Sequence, residues 1–479
     1  MKSPCSPIDD LLWRGYGLSI CFFTLKSVVS AYQQEPSLLE WSQAWPLYWI
    51  TLVAFIMLWR GAHFWLITLA ALGSLRCIIS THLPEEGLLW FPAAEWALYL
   101  GLPLFSCLVL SIKRLTSSVH SRADSSSENT TSVDVTPVQL IWRISFTCAM
   151  SFAALHKLNA DFYEPAVSCV RLSERLTAWW GAPEALYDWI SPSMIIGAES
   201  GLSLLLWIRP RLGILCAALI FGHFGSIGAT AFATLMLVMT LSFLGAADLD
   251  RIREICLRHR WRSLGLGMGL CIGVSSVSGY LYEGKFSWPQ YAFFQCLIAI
   301  TLYLICMLIR ADGGGMRAVI GQHSRPVLSV TLFSALLWVG NGLTPYLGIK
   351  FQYSFAMLSN LRVDDARWNS FLFSKEVRLS EHDSFAHVTR VEYRSVTTGR
   401  RLSGGPLKPA LYSLPLLKAY LKSAEEVGEV IRAEVNYQGQ IISEISDPPA
   451  RLHDWLATQR GSVLFQGKLS ASGAQRCVH

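Results

Sequence analysis

Charged residues are scarce in this chain, and their scarcity excludes an ordinary soluble domain. Asp, Glu, Lys and Arg make up 15% of the 479 residues, whereas a typical soluble domain carries about 25%. Hydrophobic residues make up 52% and fall in long blocks. Because a helix needs roughly 20 apolar residues to cross a bilayer, these blocks predict an all-α polytopic membrane bundle of about 9–11 spans.

Metal and redox motifs are also missing. The twelve cysteines include no Cys-x-x-Cys motif and no Cys/His spacing typical of a metal site, so we expect no metal. Most of them lie in apolar blocks, where cysteine behaves as a small hydrophobic residue. Cys169 and Cys477 are the two that we place outside the membrane on the far side, where a bridge between them could form. The pattern nevertheless favours twelve structural cysteines without a disulfide framework.

The amino-terminal residues lack the features of a cleavable signal sequence, and the net charge does not indicate a nucleic-acid partner. Lys2 is followed by Asp9 and Asp10, so the first apolar block is expected to remain as a span. The net charge is +6, but many of the basic residues sit in short loops between apolar blocks, a pattern typical of cytoplasmic anchoring. We expect membrane lipids as partners and no nucleic acid.

Eleven apolar segments are candidate spans, and several are shorter than a full crossing. They are Leu11–Gln33, Pro46–Trp59, His63–Ser80, Leu88–Ile112, Val138–Leu155, Ile190–Ile208, Leu212–Ile227, Thr230–Gly245, Ser263–Tyr280, Tyr291–Ile309 and Pro326–Gly348. Basic residues fall in every second loop between these segments, while the intervening loops are acidic or nearly neutral. Because cytoplasmic loops are enriched in Lys and Arg, this alternation predicts a multi-pass protein, most simply of the bacterial inner membrane. Its amino terminus would be cytoplasmic and its carboxy-terminal part exoplasmic.

The composition changes after residue 349. Residues 350–479 alternate polar and apolar side chains and contain no further span. His387–Tyr393 has the alternation of a strand, and Val430–Tyr437 with Gln440–Ile445 indicates a β-hairpin. We therefore predict a membrane helical domain up to residue 349, followed by a small α+β exoplasmic domain.

Lys157 stands where the apolar segment Val138–Leu155 ends, which allows two interpretations. In the first, its ammonium group reaches the membrane interface and anchors the helix. In the second, the amine is desolvated, its pKa falls from about 10.4 toward neutrality, and it can act as a base. The aromatic segment Tyr163–Trp189 is expected to lie along the outer surface as a cover over this region.

Two further titratable residues lie within apolar segments. Glu199 is a carboxylate inside a span, which is unfavourable unless it is paired or faces a polar cavity. It is either half of a structural clamp with an arginine such as Arg143, or a catalytic group. His223, in Phe221–Gly225, is either a hydrogen-bonded core residue or a member of the same site as Lys157.

The residues around Lys157 resemble a motif of a known family. In the vitamin K-dependent gamma-carboxylases and their bacterial relatives, the horizontally transferred transmembrane (HTTM) family, one span ends in a run of the type Lys-Lys-Leu-Asp-x-Asp-Trp. Residues 156–162 of this chain are His-Lys-Leu-Asn-Ala-Asp-Phe. Lys157 matches the second lysine of the run. His156, Asn159 and Phe162 replace the family's first lysine, first aspartate and tryptophan.

The resemblance covers Leu140–Asp248. The family has an arginine near the start of the same span, an intramembrane acid further on, and then a histidine before a Gly/Phe-rich turn. Arg143, Glu199 and His223 follow this order. The resemblance implies that Lys157 is the base that deprotonates a reduced quinone of the vitamin K or menaquinone type. Glu199 and His223 would orient groups or stabilise charge beside it.

The activity implied by the resemblance is a carboxylation, with lyase- or oxidoreductase-type chemistry. Reduced quinone and oxygen would generate a strong base that removes a proton from a substrate carbon before CO2 is added. The substrate would be a protein or a small molecule. A quinone- or lipid-handling enzyme is therefore one predicted function class, and a non-catalytic membrane scaffold or transport component that retained the helical core is the alternative.

Overall fold

The structure, a computed structural model, is mostly helical and includes a small antiparallel sheet. It describes residues 6–34, 52–57, 64–72, 96–120, 135–170, 191–226, 230–245 and 325–348, most of 359–443, and isolated residues elsewhere. The predicted spans Ser263–Tyr280 and Tyr291–Ile309 lie outside the described residues.

The chain divides into two compact units, and Lys157 belongs to the second. The first unit contains Met1–Trp90, Glu95–Ser151 and Glu174–Val339. The second contains Phe91–Ala94, Phe152–Ser173 and Gly340–His479. This division does not coincide with the boundary predicted at residue 349, because residues around Lys157 group with the carboxy-terminal part of the chain.

Eight helices carry most of the described part of the chain. They are α1 (Pro7–Gln34), α2 (Trp96–His120), α3 (Pro137–His156), α4 (Ala160–Tyr163), α5 (Pro192–Ile208), α6 (Pro210–Ser226), α7 (Thr230–Leu241) and α8 (Arg325–Leu343). Four of them, α1, α3, α5 and α6, begin at a proline, whose missing N–H is no loss at the first helical position. Ser191 caps α5 by accepting a hydrogen bond from the Met194 N–H at 3.3 Å.

The core of the first unit forms where α1, α3 and α7 meet. Trp13 of α1 is fully buried and meets Trp142 of α3 edge to face, with ring centroids 5.5 Å apart. Gly15 allows α1 to approach α7 closely, because a Cβ at this position would lie 2.5 Å from a methyl carbon of Val238. The contact between the two Trp rings and the close approach at Gly15 therefore determine how α1 packs against α3 and α7.

Two helices of the described part, α3 and α8, are long and apolar enough to cross a membrane. The shorter apolar helices are Gly101–Ile112, Pro192–Ile208, Pro210–Gly222 and Phe232–Leu241. Only a third of the apolar window of α8 is buried within the protein, and Leu332 and Leu336 on it are each 61% exposed. These helices indicate membrane association.

The second unit contains a six-stranded antiparallel sheet. Its strands are β1 (Phe385–Ser395), β2 (Arg401–Leu402), β3 (Ala410–Ser413), β4 (Glu429–Tyr437), β5 (Gln440–Ser443) and β6 (Lys468–Leu469). They lie in the order β5-β4-β1-β3-β6, and β2 pairs with the end of β1. Ile431, Ala433 and Val435 alternate into the core of this unit. The predicted strand within β1 and the predicted hairpin, now β4–β5, are both confirmed.

Candidate functional site at the Lys157 turn

The end of α3 is a tight turn that carries Lys157. The N–H groups of Lys157 and Leu158 bond to carbonyls three residues back, at 3.1 and 3.0 Å, which tightens the last helical turn. Asn159 then caps the short helix α4, because its Oδ1 accepts from the Phe162 N–H at 2.9 Å. Two helices therefore meet at residues 157–159, and the position of Lys157 follows from both.

The Asn159 side chain stabilises this turn through hydrogen bonds of both its amide nitrogen and its amide oxygen. The side chain is fully buried. Its Nδ2 donates to the carbonyl oxygens of His156 at 2.7 Å and Ser359 at 2.5 Å. Its Oδ1 also accepts from Asn369 Nδ2 at 3.3 Å. Since carbonyl oxygens only accept, this position requires a donor, and an amide fits where the carboxylate of the family motif does not.

A second segment of the chain pairs with the turn. Ala160 N–H donates to the Asn369 carbonyl at 2.9 Å, and Phe371 N–H donates to the Leu158 carbonyl at 3.1 Å. The Asn369 side chain braces its own loop by donating to the Asn360 carbonyl at 2.8 Å. The turn is thus fixed by residues about 200 positions later in the chain.

Asp161 is the second buried polar residue of the motif, and Arg367 neutralises it. The Asp161 residue is 1% exposed. Arg367 Nε donates to Oδ2 at 3.1 Å, and Arg367 Nη2 bonds to Oδ1. A buried carboxylate requires such a partner, and the two-point geometry fixes the orientation of both groups. The ion pair therefore anchors α4 beside the Lys157 turn.

His156 is fully buried and forms a hydrogen bond with Tyr346. The Nδ1 atom lies 2.9 Å from the Tyr346 hydroxyl, and the two ring centroids are 5.3 Å apart. Tyr346 in turn stacks on Phe373, with centroids 4.2 Å apart. His156, which the sequence did not assign to a site, thus belongs to the surroundings of Lys157.

The amine of Lys157 is held inside the unit. The residue is 4% exposed, and Nζ donates to the Ala153 carbonyl at 3.2 Å. Ala153 lies in the last turn of α3, where backbone carbonyl oxygens have no partner within the helix and can accept a hydrogen bond from a side chain. The side chain therefore does not extend into bulk solvent, as a purely interfacial anchor would.

The other predicted site residues lie in the first unit. Glu199 is half-buried on α5. His223 lies on α6, and its side chain is outside the described residues, as is segment 171–190 of the predicted aromatic cover.

Arg143 is not an ion-pair partner of Glu199, so this form of the predicted clamp is not observed. In the described part of the chain no carboxylate, Glu199 included, lies within ion-pair distance of Arg143, whose Nε donates to the Ser242 carbonyl at 2.8 Å. Arg143 is 2% exposed and lies over the Phe243 ring, 5.3 Å from its centroid. This arginine therefore binds the carbonyl end of α7 and not an acid.

Tyr346→Phe is expected to lower the free energy of unfolding by about 1 kcal/mol, because the buried Nδ1 of His156 loses its partner while the ring stacking remains. Tyr346→Leu removes the stacking as well and should cost about 3 kcal/mol. Denaturant unfolding of the full chain, followed by local hydrogen exchange at residues 152–160, measures both. Equal losses for the two variants would show that the ring stacking contributes nothing, and an unchanged stability of Tyr346→Phe would show that the hydrogen bond contributes nothing.

No protein-family model matches this chain, and no curated protein or solved structure is detectably similar to it. What the chain does is therefore inferred from its own residues.

Proposed function

We propose that this chain is a multi-pass membrane enzyme of the carboxylase-like HTTM type, which handles a quinone or a related lipid and uses Lys157 as its base. One observation carries the proposal. A lysine is buried at the carboxyl end of an apolar helix, in a turn fixed by the buried side chains of Asn159 and Asp161. A buried amine is unfavourable unless it is compensated, so an ordered one at a membrane-type helix end favours a working group.

The residues around the amine suit an aromatic ligand that bears oxygen atoms. Lys157 supplies a hydrogen-bonding nitrogen, and the neighbouring His156–Tyr346 pair adds a second polar position among aromatic rings. Phe152 and Phe373 extend this aromatic surface. Flat ligands bind to such combinations of ring faces and a few fixed polar groups. A reduced quinone of the menaquinone type fits this set and, when bound, supplies the reducing equivalents for oxygen-dependent carboxylation.

The chain's own contribution is binding and proton transfer. Lys157 Nζ accepts the proton of a quinol hydroxyl, and the Asn159 amide holds the turn so that Nζ keeps its position. The ion pair of the buried Asp161 with the half-buried Arg367 fixes α4 beside the turn. The resemblance implies a charge-stabilising role for Glu199 and His223, which lie in the first unit, and that role stays a prediction.

The proposed topology follows from the charge pattern. The proposed multi-pass bundle includes α3 and α8, which are long and apolar enough to cross a membrane, and takes its other spans from the apolar blocks of the sequence. Basic residues in alternate loops favour a cytoplasmic amino terminus. Lys157 and the sheet-containing unit are then exoplasmic.

Native mass spectrometry of the full chain in lipid nanodiscs tests the proposal. After incubation with menaquinol-4, the expected result is a one-to-one complex that loses at least tenfold in affinity in the double variant Lys157→Met/Tyr346→Leu. Lys408→Met, which changes an exposed lysine of the same unit, should bind as the unmodified chain does. Absence of menaquinol binding at concentrations well above those in a membrane would overturn the quinone assignment and favour the scaffold or transport class.

A further inference from the structure

Cys169 is disulfide-bonded, which corrects the expectation that none of the twelve cysteines is bridged. Its surroundings are ordered and buried. The residue is 7% exposed, and its N–H donates to Asn360 Oδ1 at 2.6 Å. The same asparagine donates from Nδ2 to the Val167 carbonyl at 2.9 Å. Asn360 therefore forms hydrogen bonds with the backbone on both sides of Ser168, and these bonds fix the position of Cys169.

The sequence of the second unit narrows the choice of partner. A disulfide requires two Cα atoms within about 7 Å, so the partner must reach the fixed position of Cys169. The segments that form this unit contain two cysteines in total, Cys169 and Cys477. Cys107, Cys148 and Cys216 are free thiols. We propose that Cys169 is bonded to Cys477.

The carboxy-terminal segment that contains Cys477 follows directly on the sheet of the same unit. Strand β6 pairs with β3 through Lys468 and Leu469, which ties the chain to the sheet shortly before its end. Eight residues then lead from Leu469 to Cys477. At about 3.3 Å per residue, an extended segment of this length reaches up to roughly 26 Å. The bond closes a covalent loop between the segment after the Lys157 turn and the end of the chain.

The bond also indicates on which side of the membrane the second unit folds. Forming it removes two protons and two electrons from the two thiols, and a protein disulfide of the thiol oxidase class supplies the oxidant. One thiolate attacks that disulfide to form a mixed disulfide, the second thiolate displaces the carrier sulfur, and the carrier leaves as a dithiol. Such bonds persist outside the reducing cytosol. The unit that contains Lys157 therefore folds on the exoplasmic side.

Peptide mapping of the full-length protein tests the pairing directly. Membranes are treated with N-ethylmaleimide without reductant and digested. Mass spectrometry is expected to find the peptide of Cys169 linked to that of Cys477, and to lose this species after dithiothreitol. In Cys477→Ala, Cys169 should become alkylated, whereas Cys107→Ala should leave the linked peptide unchanged. Alkylation of both residues in the unmodified protein, or linkage of Cys169 to another cysteine, would overturn the proposal.

A second measurement addresses the compartment. After mild reduction of intact cells, a membrane-impermeant maleimide should label Cys169 and Cys477 at least tenfold more than Cys107. Equal labelling only after the cells are lysed would contradict the exoplasmic assignment. Neither measurement depends on quinone binding, so a failure of the proposed function and a failure of this disulfide are distinguishable.

Discussion

Lys157→Met is expected to lower quinol-dependent turnover by about 10²- to 10⁴-fold, the usual contribution of a positioned general base. The substitution keeps the length and apolar character of the side chain while removing its nitrogen. Quinol binding should weaken far less, because aromatic contacts around the turn remain. The measurement is oxygen-dependent oxidation of menaquinol by the full chain in nanodiscs, at saturating and at limiting quinol.

The same variant should leave the stability of the protein unchanged or raise it. Lys157 is 4% exposed, and an apolar side chain of similar volume needs no compensation for burial, whereas an amine does. A residue that can be replaced without loss of stability, yet is needed for turnover, serves function. Loss of activity together with unchanged unfolding would therefore separate a catalytic lysine from a structural anchor.

The matched control is Lys408→Met, which makes the same chemical change at an exposed position before β3. It should alter neither turnover nor the unfolding midpoint beyond the usual effect of a surface substitution. If Lys157→Met lowers stability by several kcal/mol and activity falls only in proportion to the folded fraction, Lys157 is a structural residue and the proposed mechanism is wrong.

Several helices and strands could be predicted from the sequence because the pattern that specifies each of them lies within one short segment. Apolar blocks predicted the helical segments that became α1, α3 and α8, and prolines mark where four helices begin. The strand β1 and the hairpin β4–β5 were predicted from alternation, because side chains of a strand point to opposite faces. The sheet order, with β1 between β4 and β3, could not be predicted in this way, because it depends on pairing between distant segments.

The candidate site likewise has a part that could be predicted from the local sequence and a part that could not. The position of Lys157 at a helix end followed from one apolar segment and the residues beside it. Its supports did not, because Tyr346, Arg367 and Asn369 contact the turn across about 190–210 positions of sequence. Polar residues that are distant in sequence and meet only in the folded chain produce no periodic pattern from which their contact could be predicted. The one usable signal was the cluster of Asn159 and Asp161, two polar residues directly after a span, which require partners if they are buried.

The grouping of Phe152–Ser173 with the carboxy-terminal part could not be predicted, for a related reason. Hydropathy assigns Phe152–Ser173 to the membrane part, whereas its contacts are with the carboxy-terminal part. Polar contacts such as the pair of Asp161 with Arg367 hold it there. A boundary drawn from composition cannot detect contacts that are made by a few buried polar groups.

Asn159→Asp, which places an acid where the resembled motif has one, is expected to destabilise the turn by about 3–5 kcal/mol, the effect of leaving a charge buried without compensation. The amide Nδ2 now donates to two carbonyl oxygens, at 2.7 and 2.5 Å. A carboxylate oxygen in its place would face both carbonyls without a proton to share. The measurement is hydrogen exchange by mass spectrometry. Protection of the Ala160 and Phe371 amides, which bridge the turn and its partner loop, should fall by at least 100-fold.

Asn436→Asp is the matched control for this effect. Asn436 is half-buried on β4 and lies on the face opposite the buried residues Val435 and Tyr437. The same change of amide to carboxylate should therefore shift stability by no more than about 0.5 kcal/mol. If Asn159→Asp retained full protection of the turn, the amide would not be acting as the donor that links the two segments. If protection falls while Asn436→Asp is unaffected, the turn requires a hydrogen-bond donor at position 159, because the groups that face it there are carbonyl oxygens.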